Sequence, residues 1–184
     1  MEGNRLCMMR ELLKGAVCGS VATAAMSGVM VAGSRMGLMR DQPPKRIARA
    51  ALPGRKHQQK AGEGVAGALA HLGFGATAGA LYGVLARGHR APAAVGVAYA
   101  LAIWASSYQG WIPRMEILPP ASKDHPGRQA VMVAGHVVYG TVLALTMNRL
   151  STRAARVTER ETWASPPRYE KERAGQQVAQ GEMR

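Results

Sequence analysis

Two histidines stand at the head of the same short pattern, H-x-x-[Phe/Tyr]-G, each inside a run with no charged residue. They are His71 in "HLGFGATAGALYG" (71–83) and His136 in "HVVYG" (136–140). Imidazole changes charge near neutral pH, and each ring nitrogen donates or accepts a hydrogen bond or ligates a metal. The pair therefore supports three chemistries. In the first, each neutral ring donates an N–H across a helix interface. In the second, the pair accepts protons or senses pH. In the third, His71 and His136 are ligands of a haem or metal, although no third or fourth ligand of the usual kinds stands nearby in sequence, so no cofactor is expected. Candidate polar partners are Tyr82, Tyr99, Tyr108 and Tyr139, with Ser106, Ser107 and Thr141.

The elements that must position these rings follow from the placement of charge. Four stretches lack Asp, Glu, Lys and Arg: 20 residues between Lys14 and Arg35, 23 between Glu63 and Arg87, 23 between Arg90 and Arg114, and 20 between Arg128 and Arg149. At 19% charged residues overall, a random 20-residue stretch is charge-free only about once in 70, so chance does not supply four. A soluble amphipathic helix shows water a polar residue about every turn. A chain of 184 residues cannot bury four uncharged helices on every side, whereas roughly 20 apolar residues cross a hydrocarbon core of about 30 Å. The sequence predicts an all-α, polytopic membrane protein with four transmembrane helices near 15–33, 64–86, 92–112 and 129–147, in a membrane domain spanning 1–147.

Small residues recur in steps of four inside these helices. Gly15, Gly19, Thr23 and Ser27 do so in the first, and Gly67, Gly75, Gly79 and Gly83 around His71 in the second. Ala98, Ala102, Ser106 and Gly110 follow in the third, then His136, Gly140 and Ala144 in the fourth. Lipid gives helices no hydrophobic reason to associate, so stripes of small residues serve close backbone packing. The functional reading of the glycines is a groove for a flat cofactor or a lipid. His71 lies seven residues after Gly64 and His136 seven after Gln129. Their helices run the same way, which predicts both imidazoles at one height. An ionisable residue inside a span faces the protein interior and finds a partner there.

Competing readings of the same residues are a soluble Ala/Gly-rich bundle, which a mean hydropathy of -0.10 suits, and a signal peptide in place of the first span. The basic loop 34–63 predicts a short surface helix with Ile47, Ala50, Ala51 and Leu52 towards lipid and its cations towards anionic headgroups. Trp104, Tyr108 and Trp111 read as headgroup anchors. Pro113 ends its helix, and Pro119-Pro120 stiffens a loop that is also a candidate lid over a histidine cavity. The tail 148–184 reads as a polar helical extension, disordered after Pro166-Pro167. Its mixed charge and lack of clustered aromatics argue against nucleic acid. Cys7 and Cys18 have no metal spacing and are expected reduced. Near the membrane, nine basic residues on the face of the termini stand against eleven on the other, too even a balance for the positive-inside rule to set the orientation. The long polar tail favours cytoplasmic termini.

No catalytic motif is present and no carboxylate lies in the four spans, so no enzyme is expected. "HLGFGATAGALYG", "SYQGWIP", "ILPPA" and "GHVVYG" resemble motifs of small, uncharacterised bacterial integral membrane proteins and, more distantly, of the YagU-like inner-membrane family. The resemblance covers residues 15 to 147 and implies a multi-pass protein of a bacterial inner membrane with no assigned reaction. The leading expectation is a non-enzymatic helix bundle in contact with lipid, alone or as a homo-oligomer, that responds to pH or helps a proton or small solute cross. A redox or haem-binding subunit and a purely structural lipid-interacting protein are the alternatives.

Overall fold

The computed structural model describes residues 2–39, 42–55, 58–86, 89–119 and 123–164. These residues form α1 (Glu2–Arg35), α2 (Pro43–Ala51), α3 (Glu63–Ala86), α4 (Ala93–Ser106), α5 (Ile112–Arg114) and α6 (Pro126–Ala164), with a π turn at Ser107–Trp111 and no strand among them. The chain divides into two compact units, Met1–Asn148 and Arg149–Arg184. The helix packing and the cavity described below belong to the first. The expected disorder after Pro166-Pro167 lies outside the described residues, as does Pro120 of the expected stiff pair.

Among the described residues three helices, not four, are individually long and apolar enough to cross a bilayer: Gly3–Arg35, Glu63–Ala86 and Pro126–Arg153. The expected span over 92–112 is interrupted. Its α-helix covers only 14 residues, after which the Ile112 N–H reaches back five residues to the Ser107 carbonyl, the pattern of a π turn. At the start of the turn the Ser107 hydroxyl donates to the Ile103 carbonyl at 2.6 Å and lies 3.2 Å from that of Trp104.

Helix α1 ends in a Schellman motif, with Leu38 N–H on the Gly33 carbonyl and Gly37 N–H on that of Ser34. Gly37 sits at φ +75°, where a side chain is strained. Beyond the turn, Pro43 and Pro44 open α2, where no intrahelical donor is lost.

Helices α1 and α3 meet antiparallel through the expected stripes: Ser27 faces His71, Thr23 faces Gly75, Gly19 faces Gly79 and Gly15 faces Gly83. A Cβ on Gly79 would sit 2.6 Å from the Gly19 Cα and collide with the Gly15 carbonyl oxygen. Such an approach is open only to glycine. Helices α4 and α6 meet at Gly96 and Gly140, where a Cβ on Gly140 would lie 2.6 Å from the Val97 Cα. Helix α6 also fills the space beside α1, with Gly135 against Met26 and Val131 against Gly33.

Two expectations about faces are corrected. In α4, Ala98, Ala102 and Ser106 are exposed, and the packed face carries Gly96 and Ala100 instead. Both sets step by four on different sides of one helix, and the Gly96–Gly140 contact selects between them. In α2, Ile47 and Ala50 do not face outwards. They pack against Tyr108, Ile112, Ile117 and Leu118, and Ala48 and Arg49 are buried. The physical reason is the two-pronged ion pair from Arg49 to Glu63 at 2.6 and 2.7 Å. It draws one of the loop's cations inwards and lays α2 across α3. Gly67 makes room for this, since a Cβ there would lie 2.7 Å from the Pro44 carbonyl oxygen. Lys60 Nζ then donates to the Arg49 and Leu52 carbonyls at the end of α2.

Candidate functional site

A cavity of about 250 Å³ opens where the four long helical segments come together. Its walls are His71, Phe74 and Gly75 from α3, Met132, His136 and Tyr139 from α6, Thr23, Met26 and Met30 from α1, and Trp104, Ser107 and Tyr108 from α4 and the π turn. Pro43, Pro44 and Ile47 of α2 roof it together with Ile112 and Leu118. The roof is thus α2 and not the Pro113 to Pro120 loop alone. On one flank the lining includes Ala70, which is exposed, and Phe74, 51% exposed. There the cavity reaches the outside of the bundle, midway along α3.

The two histidines line this one cavity from different helices, and each is held by its other side. His136 Nδ1 lies 2.7 Å from the Met132 carbonyl. A carbonyl only accepts, so Nδ1 carries the hydrogen and Nε2 of the neutral ring is left as an acceptor. His71 Nδ1 is 3.4 Å from the Ser27 hydroxyl, a long contact from the facing stripe of α1. Trp104 stands beside His136 with ring centroids 6.3 Å apart and stacks on Tyr108 at 5.5 Å and 20° between planes. Its indole Nε1 is buried and has no hydrogen-bond partner.

The expected polar partners separate into groups. Tyr139 and Tyr108 line the cavity, but their hydroxyls are engaged elsewhere. Tyr139 donates to the Gly75 carbonyl at 2.8 Å, and Tyr108 donates to Asp124. Tyr99 donates to the Ala78 carbonyl at 2.7 Å, tying α4 to α3. Tyr82 is buried with its hydroxyl unpartnered, beside the Tyr99 ring at 5.1 Å and away from the cavity wall. Ser106 and Thr141 bond back to their own helices. Of the packing glycines, Gly67 and Gly75 form cavity wall, whereas Gly79, Gly83 and Gly140 lie in the closed interfaces.

Three contributors to the site carry little signal of it in the sequence. Trp104 has the placement of a headgroup anchor, yet half-buried it forms cavity wall. Its four-residue spacing to Tyr108 is the available signal. Ser27 belongs by its spacing to the packing stripe alone. Asp124, in a loop, is buried and accepts from Tyr108, from Arg128 at 2.6 Å and from the His125 N–H at 2.7 Å. Nothing in its local sequence marks it. Cys7 is exposed and Cys18 buried, both as free thiols. Among the described residues no three His, Cys, Asp or Glu side chains cluster as a metal-binding group.

Fold and cavity together define a protein whose described residues are all-helical, with three helices among them long and apolar enough to cross a bilayer, seamed by glycines around a cavity that two histidines share. The chain belongs to a family of unknown function, DUF6789, whose model matches residues 9–158. That match carries no link to the YagU-like proteins. No curated protein and no solved structure matches the chain.

Proposed function

We propose that this is a non-enzymatic, multi-pass protein of the inner (plasma) membrane that takes a small lipid-soluble molecule into the cavity between its histidines. The bundle crosses the bilayer four times. The fourth crossing is the helical path from Ala93 to Arg114, which reaches about 33 Å at ~1.5 Å per residue despite its π turn. The observation that carries the reading is the convergence of His71, His136 and the Trp104 ring on one largely apolar cavity. Apolar pockets with a few convergent polar groups are where small molecules bind. The opening at Ala70 and Phe74 lies on the flank of a bilayer-length helix, so the route in is from hydrocarbon.

The test is to purify the full chain in nanodiscs formed directly from its membrane, extract the bound small molecules and identify them by mass spectrometry. A stoichiometric lipid-soluble compound is expected, and Ala70→Trp, which stoppers the mouth from an exposed position, loses it. Retention no higher than in empty nanodiscs sinks the reading, as does recovery of the chain in the soluble fraction. A second reading, haem ligation, is favoured by the His136 Nδ1 bond to a backbone carbonyl, an arrangement that orients metal-bound imidazoles. An ultraviolet-visible spectrum and metal analysis of the same sample decide it: a stoichiometric haem band lost in His136→Ala replaces the first reading. If the histidines instead carry a proton response, His71→Ala and His136→Ala abolish it without unfolding the bundle.

A further inference from the structure

Besides two imidazoles, the cavity is lined by the side chains of Met26, Met30 and Met132, all buried. The packing of α1 brings the two kinds of group to one level. Ser27 lies opposite His71 of α3. Met26, the residue before it, lies opposite Gly135 of α6, with its Cγ and Cε 3.2 and 3.5 Å from where a Cβ on that glycine would stand. The sulfur is bonded to both of those carbons, so it shares their place against α6. His136 is the next residue after Gly135. The two histidines therefore stand at nearly the same height on their helices, with the Met26 thioether at that height on α1. Farther along, Gly33 meets Val131, so α1 and α6 run antiparallel and Met30 falls level with Met132, one turn nearer the α2 roof.

Both imidazoles engage protein through Nδ1. His136 Nδ1 donates to the Met132 carbonyl at 2.7 Å, and His71 Nδ1 makes the long contact to Ser27. That leaves Nε2 of each ring to a ligand, and a backbone carbonyl on Nδ1 is the arrangement that orients a metal-bound imidazole. The rings are also close enough for a charge on one to act on the other. Methionine commonly fills gaps in a core, and its three rotatable bonds let the sulfur adapt to a guest.

The chemistry of this donor set selects the ion. Thioethers are soft ligands that favour Cu(I), and imidazole suits copper as well. None of the residues lining the cavity is acidic. The cost of burying an ion rises with the square of its charge, so walls without a carboxylate suit a monovalent cation over Zn(II) or another divalent one. We infer that the cavity holds one Cu(I) ion between His71, His136 and the thioether of Met26, with Met132 as a fourth donor. The inference does not rest on the lipid-soluble guest. It shares its histidines with the haem reading but adds sulfur ligands and a different metal.

The experiment loads the full chain in nanodiscs with Cu(I) under anaerobic ascorbate, measures affinity by competition with bicinchoninate, and records X-ray absorption at the copper edge. Cys7 and Cys18 also attract soft ions and lie outside the cavity, so a Cys7→Ser/Cys18→Ala chain is run beside the native one. One Cu(I) per chain is expected in both, with nitrogen and sulfur neighbours in the absorption spectrum. Without cysteines, that sulfur is thioether. Met26→Leu, which conserves volume and is expected to melt like its parent, is expected to weaken Cu(I) binding about a hundredfold, the upper end of what losing even an outer-shell partner costs a metal site. His136→Ala is expected to weaken it at least as much, and Zn(II) is expected not to compete. No stoichiometric Cu(I) without the cysteines, a shell without sulfur, affinity unchanged in Met26→Leu, or equal competition by Zn(II) overturns the inference. The lipid-soluble guest is read by extraction and haem by its absorption band, so each reading fails by its own measurement.

Discussion

The α1/α3 seam and the cavity a turn or two away draw on the same stripe of α3, yet they put it to opposite use. From Gly75 to Gly83 the stripe has no side chains, and α1 answers with Gly15, Gly19 and Thr23, so that the two backbones are nearly in contact. From Gly67 to His71 the stripe faces α2 and Ser27 and, with Gly75, forms cavity wall. In the seam the helix backbones close on each other and no space is left. Around the cavity, polar side chains are brought in and one of them, the Trp104 indole, is left unanswered. The difference teaches where to look for function in such a bundle. Closed glycine contacts supply the rigidity, and the proposed binding site lies where the contacts stop closing.

The sharpest way to break this comparison is to fill the seam. Gly79→Leu places a side chain where even a Cβ collides with backbone on α1. It is expected to cost about 3 kcal/mol, seen as a large fall in thermal stability in detergent, and to remove ligand binding along with it. If the variant melts like the parent, the seam is not what holds the bundle.

Next in size is Asp124→Ala, beneath the cavity's aromatic wall. It strips the partner from the Tyr108 hydroxyl and from Arg128, for an expected loss of about 2 kcal/mol. A thermal melt reads the cost, and retention of the lipid-soluble molecule extracted from nanodiscs reports whether Tyr108 still supports the wall. An effect near zero would mean that the aromatic wall stands without its polar anchor.

Tyr139→Phe and Tyr82→Phe form the finest test, because both remove one buried hydroxyl. Tyr139 gives up a bond to the Gly75 carbonyl, so a loss of about 1 kcal/mol is expected. Tyr82 gives up none, so its variant is expected to gain up to about 1 kcal/mol by leaving no polar atom stranded. Equal melting shifts for the two would show that hydrogen bonding does not distinguish these positions.

Much of this is legible in the chain. The glycine periodicity of α1 and α3 predicts their faces because backbone contact admits almost no other residue, which makes the signal strong. The third helix misleads for the complementary reason: alanine and serine tolerate contact and exposure alike, so Ala98-Ala102-Ser106 looks as good as Gly96-Ala100 until a partner chooses. The basic loop misleads because a cation reads as solvent-seeking unless its acid is in view. Arg49 and Glu63 are 14 residues apart, beyond any local spacing rule. Trp104 is visible as a residue, but its neighbours are not.

By itself the sequence determined what is set by composition along one helix: helical class, charge-free lengths, the glycine seam, and two histidines placed at matching depth on helices running the same way. These follow from periodicity and from the exclusion of charge, which need no knowledge of neighbours. The tertiary structure alone decided that the two histidines share one cavity, that α2 roofs it, and that the π turn interrupts the third apolar stretch. Each of those depends on which faces of separate helices meet, and that choice is made by packing among residues far apart in the chain.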